Sequence, residues 1–539
     1  MLEIAIVGAG ICGLTLGREL AARGVPFALF EARKRLGGRV LSVQNPTNGE
    51  RLDLGPTWFW PETQPAVSRL VAELGLERFD QHDPGSALLL SDPEEPPATR
   101  ATPRLHAGAQ RLRGGMASLV EGLADAIPPD ALHLDCVLRE AQDCGDHIEL
   151  LFEARGEELK VAACRVVFAV PPRLLVENVR FTPELSNSDQ MAMNATPTWM
   201  AAQAKAVIGF SGPPAWRAAG QSGNAFVVHE QAVLGEIFDA CDASGAKSAL
   251  GGFFALSAQM REAFRDGLPM LVASQFVQLF GKALEFGEPQ MQDWAKEKFT
   301  CAKADLASSE AHPDYGSNSL RMPLWDGKLY LGASESAREG GGYVEGAINA
   351  ATRIRDQLFK PQKDSMMTTA RGSMSPDLHN QKCLDRFGEW VASRQAPTFA
   401  SYRQRLNYAL SHGQREQLTQ RAMLGAMEAV FADAVALLEE LPFSHHGVAV
   451  ERGRSDLTPK VQAAFEGFIQ ALLDEIVAYN RTSCALSNFP EEHRLAKDYI
   501  STTLRDVGAA WREFSLAANR LLLDKRDAPK TEAPKTIEA

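Results

Sequence analysis

The chain of 539 residues contains no run of apolar residues approaching the roughly 18 that a membrane-spanning helix needs, which leaves no visible span. Cysteine is sparse and unpatterned. Eight are scattered as Cys12, Cys136, Cys144, Cys164, Cys241, Cys301, Cys383 and Cys484, with no C-x-x-C pair. This excludes the common thiolate metal and dithiol spacings and suits a reducing cytoplasm. Positive charge is also short: 56 Lys and Arg stand against 68 Asp and Glu, a formal net charge of −12. With no basic cluster, the sequence argues against a nucleic-acid partner and against an acidic membrane surface. The chain enters a strand-like run at Ile4, leaving no room for the charged and apolar regions of a secretory leader, so the expectation is a cytoplasmic protein. What is abundant is apolar character, at 45%, enough for large cores and more than one domain.

The most informative short stretch is "GAGICG", directly after the apolar run "IAIV". Strand, tight turn and helix follow from it. Gly8 makes the turn, Gly10 lets the backbone approach a pyrophosphate at the helix N-terminus, and Gly13 lets helix and strand pack closely. "LTLGRELAARG" carries helical apolar spacing and stops at Gly24, and "VPFALFEAR" reads as a second strand. That strand ends on Glu31, 21 residues after Gly10, where a dinucleotide fold holds a ribose with a carboxylate. An acid there, rather than Arg, argues against a 2′-phosphate.

The basic, glycine-bearing extension "EARKRLGGRVLSV" suits a large stationary cofactor, wrapped by Arg33, Gly38 and Arg39. Here the sequence resembles the flavin-containing amine oxidases of the monoamine and polyamine oxidase type. The likeness continues through "LDLGPTWFWPETQPAVSRLVAELGL", "LRGGMASLVEGLA", "VVFAVPP" and "LYLGASESAREGGGYVEGAINAATRI", and covers residues 1–360. It implies an α/β fold in which a Rossmann-like FAD-binding domain carries an inserted mixed α+β substrate domain. The discontinuous FAD domain is expected at 1–75, 105–173 and 301–360, and the substrate domain at 76–104 and 174–300. A polar linker at 361–377 leads to amphipathic helices over 378–524, an all-α bundle, and a charged, apolar-poor tail at 525–539 reads as disordered.

The resemblance also implies chemistry. A flavin takes the equivalent of a hydride from the carbon beside an amine, leaving an imine that water hydrolyses, and O₂ reoxidises the cofactor with release of H₂O₂. Lys205, in "AAQAKAVIGFSGPPAWRAAGQSG", matches the strand lysine implicated in O₂ activation. Tyr343, in "GGYVEGA", matches the tyrosine that forms one wall of an aromatic cage. Trp58, in "GPTWFWP", stands where the family has a smaller or single aromatic residue. Gly55 and Thr57 are expected flavin contacts, Val137 a main-chain contact to the adenine, and Ser334 with Glu335 an acid motif near the ribityl chain. Val344 opens a helix whose N-terminus would face the flavin pyrimidine and favour its anionic reduced form.

Two departures stand out. Counting on from Trp294, Lys303 falls where some members link a cysteine to the flavin, and Ala304 falls at the second cage tyrosine. FAD is therefore expected to be held non-covalently, with half the usual cage. No metal site is read. His445, His446 and His493 lack the Glu-x-x-His pairing of a di-iron bundle and read as solvated polar residues. The helical half is a candidate for homodimerisation or for a protein partner. Two other functions compete: an FAD enzyme of desaturase or protoporphyrinogen-oxidase type, and a helical interaction module with a regulatory flavin half.

Overall fold

Strand β1 (Leu2–Val7) lies between two parallel neighbours, and Ile4, Ala5 and Ile6 are accordingly fully buried. It passes through the glycine turn into helix α1 (Ile11–Ala22), which returns the chain to strand β2 (Phe27–Phe30), parallel to β1. The computed structural model describes residues 1–101, 105–284, 287–307, 312–313, 315, 317, 319–359, 376–411, 417–444, 448–482 and 497–527. The chain divides into two compact units, Met1–Pro361 and Gln362–Ala539.

In the first unit β1 belongs to an eight-stranded sheet. Its other neighbour is the long strand Glu157–Phe168, which does double duty. Its first half pairs antiparallel with Ile148–Ala154, and its second half pairs parallel with both β1 and Leu329–Leu331. A meander from Cys136 onward is thereby fused to a parallel nucleotide-binding sheet. Arg180–Thr182 also joins this sheet, alongside Cys136–Asp143, although it lies in the stretch expected to build the substrate domain.

A seven-stranded sheet makes the second layer system, in the order Pro289–Asp293, Ala204–Gly209, Ala249–Phe254, Leu234–Asp239, Gln221–Val227, Ser86–Leu90 and Ala98–Arg100. Side chains alternate between its faces, as the period of a strand requires. Ala204, Ala206, Ile208, Leu250, Phe254, Ile237 and Ala225 form a core with Val272 and Phe276 of helix Leu268–Phe280. Val207, Phe238 and Ala249 face the other way, onto Leu52 and Leu54 of the "LDLG" segment. Gly251 is required here: a Cβ would come within 2.3 Å of the Phe238 ring. This second face positions the candidate site.

The second unit is built from helices Pro376–Ala392, Gln395–Ser411, Leu418–Glu440, Leu457–Ala463, Phe468–Thr482 and Lys497–Asp527, with a small hairpin of Val450–Glu451 and Arg454–Ser455. Phe387, Phe431, Phe465, Phe468 and Phe514 meet in one apolar core, beside which Tyr402 donates a 2.6 Å hydrogen bond to Asn480. Of the expected linker at 361–377, residues 361–375 lie outside the described residues and 376–377 open helix Pro376–Ala392; 528–539 of the expected tail also lie outside, and 525–527 continue the last helix. His445, His446 and His493 also lie outside the described residues.

Candidate active site

Lys205 projects from strand Ala204–Gly209 on the face opposite the helix-covered core, and is 2% exposed. Its ammonium donates to the Gly55 carbonyl at 2.9 Å and to the Thr57 hydroxyl, which ties this strand to the segment after Arg51–Asp53. Three rings surround it: Phe238, Phe253 and Trp58, with centroids 4.9, 5.2 and 5.6 Å from Nζ. Burial pushes its pKa down to about 7, with Asp53 opposing the shift and Arg111 adding to it. Trp58 is fixed by an indole hydrogen bond of 2.8 Å to Gln81 and by edge contact with Phe238. The expected Lys205, Trp58, Gly55 and Thr57 are thus brought together. Phe238 and Phe253 were missed, although the alternation in "LGEIFD" and "ALGGFF" puts both on one sheet face.

Tyr343 sits among other aromatics. Trp199 meets it edge-on at 4.7 Å, and His312 stacks on it at 4.9 Å with an interplanar angle of 12°. His312 is held by a 2.9 Å contact with the Gly341 carbonyl, and Tyr315 anchors the segment by donating to the Pro197 carbonyl. Trp199 and His312 were not anticipated. Neither carries a motif, and both come from segments whose approach depends on the fold.

At the glycine turn, Gly8 has φ +103°, a backbone state that strains other residues, and a Cβ at Gly13 would lie 2.0 Å from the Gly8 carbonyl oxygen. Gly10 differs: a Cβ there would meet nothing within 4 Å, so it would enter the cradle over the start of α1. Gly38, with φ +57°, closes against Gly10. Glu31 is 3% exposed and accepts from the backbone N–H groups of Ala9 at 2.8 Å and Arg33 at 2.9 Å. The Arg33 guanidinium bonds Glu297 at 2.9 Å and Thr300 at 2.7 Å and also pairs with Glu31 at 3.6 Å, which keeps it beside the cradle. Ala32, Arg33 and Val137 line one end of a cleft of about 1030 Å³ beside Glu31.

Arg39 binds Glu335 through both carboxylate oxygens, at 2.6 and 3.1 Å, and Ser334 at 3.0 Å. Val344 begins helix Val344–Phe359. Beside it Glu345 accepts from the Ala66 and Val67 N–H groups at 3.0 and 2.9 Å, capping helix Pro65–Glu73. Lys303 points outward, its side chain 89% exposed and 3.9 Å from Glu177. Burial pushes the nearby Cys301 thiol up to about 12, so it stays protonated and a poor nucleophile.

Known proteins carry the same pattern. Residues 6–74 match the NAD(P)-binding Rossmann-like domain, and residues 97–354 match the flavin containing amine oxidoreductase family. The first unit belongs to that amine oxidoreductase family. A putrescine oxidase of Kocuria rosea is 38% identical over 100 residues, which are 19% of this chain and 20% of that protein. A flavin-containing amine oxidase of Danio rerio is 21% identical over 484 residues, spanning 68% of this chain and 90% of the relative. Among solved structures, putrescine oxidase bound to putrescine aligns with a TM-score of 0.54 at 20% identity, covering 67% of this chain and 99% of its own. A cyclohexylamine oxidase from Brevibacterium oxydans aligns with a TM-score of 0.53 at 18% identity, covering 66% and 99%. At such identities the structures speak for the fold. The family's members are oxidoreductases acting on amines, and FAD is the cofactor that membership carries. The open cradle at Gly10, the uncapped N-terminus of α1 and the buried Glu31 fit a dinucleotide. Among the described residues no helix is long and apolar enough to cross a membrane.

Proposed function

We propose that the chain oxidises an amine to an imine with O₂ as electron acceptor. Bound FAD would supply the two-electron chemistry, in which the equivalent of a hydride from the carbon beside the amine and a proton from the amine end on O₂ as H₂O₂. Water then hydrolyses the imine to an aldehyde and ammonia or a smaller amine. The observation that carries this reading is Lys205, a buried cation enclosed by three rings and tied to the "DLGPT" segment. An isolated ammonium in such surroundings is costly without a role for its charge, and its lowered pKa lets it exchange a proton near neutrality.

The chain's residues divide the work as follows. Gly8, Gly10, Gly13 and Gly38 with the start of α1 hold the pyrophosphate, Glu31 the ribose, and Val137 the adenine. Arg39, Ser334 and Glu335 form a rigid clamp beside the ribityl chain, and Gly55 and Thr57 abut the ring. Val344 presents a helix start to the pyrimidine, where its dipole stabilises negative charge. Tyr343 with Trp199 orients the amine and excludes water, while Trp58, Phe238 and Phe253 keep the surroundings of Lys205 dry. Lys205 provides a positive charge and a transferable proton for the reduction of O₂.

Mixing the purified yellow protein anaerobically with primary and secondary amines should bleach the flavin band, and admitting air should restore it with one H₂O₂ formed per amine consumed. Amines that leave the band untouched, or reoxidation without peroxide, would refute the oxidase reading.

A further inference from the structure

The hairpin that joins Cys136–Asp143 to Ile148–Ala154 turns through "CGDHIE", Cys144 to Glu149. None of these residues is assigned to the cofactor or to the amine. Among the described residues, this is the one place where three side chains able to ligate a metal converge. The Cys144 sulfur, a His147 ring nitrogen and a Glu149 carboxylate oxygen all lie within 4.8 Å of one another. The spacing, Cys-x-x-His-x-Glu, falls outside the dithiol patterns that the sequence lacks.

The backbone brings these groups together before any ion arrives. The Cys144 N–H donates to the His147 carbonyl at 2.9 Å and closes the turn. Gly145 supplies the required φ of +97°, and its N–H donates to Asp143 Oδ1 at 3.0 Å. The ladder pairs Asp143 with Ile148 and Gln142 with Glu149, so Ile148 enters the core and Glu149 points outward. The imidazole is oriented as well. His147 Nδ1 lies 2.6 Å from Asp146 Oδ1, and an ionised carboxylate can only accept, so Nδ1 carries the hydrogen. The neutral ring therefore keeps its lone pair at Nε2, which faces Glu149 at 3.9 Å, beyond hydrogen-bond reach. A carboxylate on the far ring nitrogen is the usual support of a metal-binding histidine. Cys144 is exposed, and its sulfur makes a weak 3.9 Å contact with the Gln142 carbonyl. Asp143 is drawn off by Lys328 at 3.3 Å and stays outside the set.

The geometry points to a binding site for a divalent zinc-class ion, held by the Cys144 thiolate, His147 Nε2 and the Glu149 carboxylate. Asp146 orients the imidazole, and water completes the tetrahedron. One sulfur, one nitrogen and one oxygen suit Zn²⁺, whereas Ca²⁺ and Mg²⁺ take oxygen sets. The thiolate and carboxylate together neutralise the ion. Binding releases the thiol proton to solvent, and no electron is transferred. The ion ties the turn to the strand that follows it, so it acts on the stability of this hairpin and not on amine oxidation. The site is independent of the amine-oxidase reading.

The test uses the full-length holoenzyme, treated with a chelator and then titrated with Zn²⁺ alone. Wild type should bind Zn²⁺ at least about 10-fold more tightly than Cys144→Ser or His147→Ala, and Asp146→Asn should weaken binding by about 10-fold, the low end for an orienting partner. Zinc should also shield one thiol per chain from an alkylating reagent in wild type and none in Cys144→Ser. Flavin content reports that each variant is folded, and it should match wild type because the turn lies outside the cofactor's residues. Equal zinc affinity in wild type and His147→Ala, or zinc bound with no thiol shielded, would overturn the site.

Discussion

Arg39 grips Glu335 with two parallel hydrogen bonds, and the carboxylate so held has no exposure at all. Such a fork needs the planar guanidinium, so Arg39→Lys is not a conservative change. Breaking one side of a buried pair leaves an uncompensated charge and costs about 3–5 kcal/mol. Glu335→Gln and Arg39→Lys should each lower the denaturation midpoint and the ratio of flavin to protein. Full flavin content with unaltered urea unfolding in either variant would show that the clamp is dispensable.

Lys205 makes two separable predictions. Replacing it with Met should slow reoxidation by O₂ by about 10²-fold, the order of a lost electrostatic donor, while anaerobic reduction by amine changes far less. Equal losses in both half-reactions would remove the oxygen-side role. Stability gives the second. The folded pKa of about 7 lies below the ordinary 10.5, so between these values the unfolded chain binds a proton that the folded chain does not. Wild-type stability relative to Lys205→Met should therefore rise with pH across that window and stay at its lowest below about pH 7. Parallel melting curves for the two proteins from pH 7 to pH 10 would contradict a depressed pKa.

Glu31 carries more than a ribose contact. Its two oxygens accept from the Ala9 and Arg33 N–H groups, so it also ties the glycine turn to the end of β2. Glu31→Ala leaves those buried donors unpaired, costing about 1–3 kcal/mol even without cofactor. FAD titrated into the apoprotein should bind more weakly than to wild type, and the apoprotein itself should melt earlier. An effect on FAD affinity with no change in apoprotein melting would mean that the turn does not depend on this carboxylate.

How much of this was legible in the sequence depends on range. The glycine turn, Glu31 and the lysine strand are local patterns, set by backbone conformation and alternation within a few residues, and they were readable directly. The pairing of Arg39 with Glu335 joins residues 296 apart in sequence, and the packing of Trp199 and His312 on Tyr343 joins three separate segments. No local periodicity encodes such meetings. The bonds of Arg33 to Glu297 and Thr300 likewise join residues 264 and 267 apart in sequence. Arg180–Thr182 lies in the 174–300 stretch expected for the substrate domain yet pairs with Cys136–Asp143, and a three-residue strand has too few residues to display a pattern.

The cofactor should leave with denaturation. Cys301 is held protonated by burial and Lys303 faces solvent, so neither offers a nucleophile to the flavin. Acid or heat should release all the FAD into the supernatant and leave a colourless polypeptide. A flavin that remains on the chain through a denaturing gel would identify a covalent link and overturn this.

The second unit should be separable from the oxidase. Its core, from Cys383 to Leu522, is drawn entirely from residues of that unit, and the cores of the first unit close within the first 361 residues. A domain with a complete core of its own folds alone in the usual case. The structural neighbours point the same way, since 67% of this chain accounts for 99% of a putrescine oxidase. A protein ending at Pro361 should therefore remain soluble, yellow and active on a small amine, with kcat within about 2-fold of the full chain, because none of the residues assigned to binding or chemistry lies beyond Val344. If the helical unit instead serves dimerisation, sedimentation should show the full chain heavier than a monomer and the shortened one not. If it covers the active-site mouth, KM should shift with length while flavin content stays constant. Loss of FAD on truncation would show that the two units share a core, against the division at Pro361.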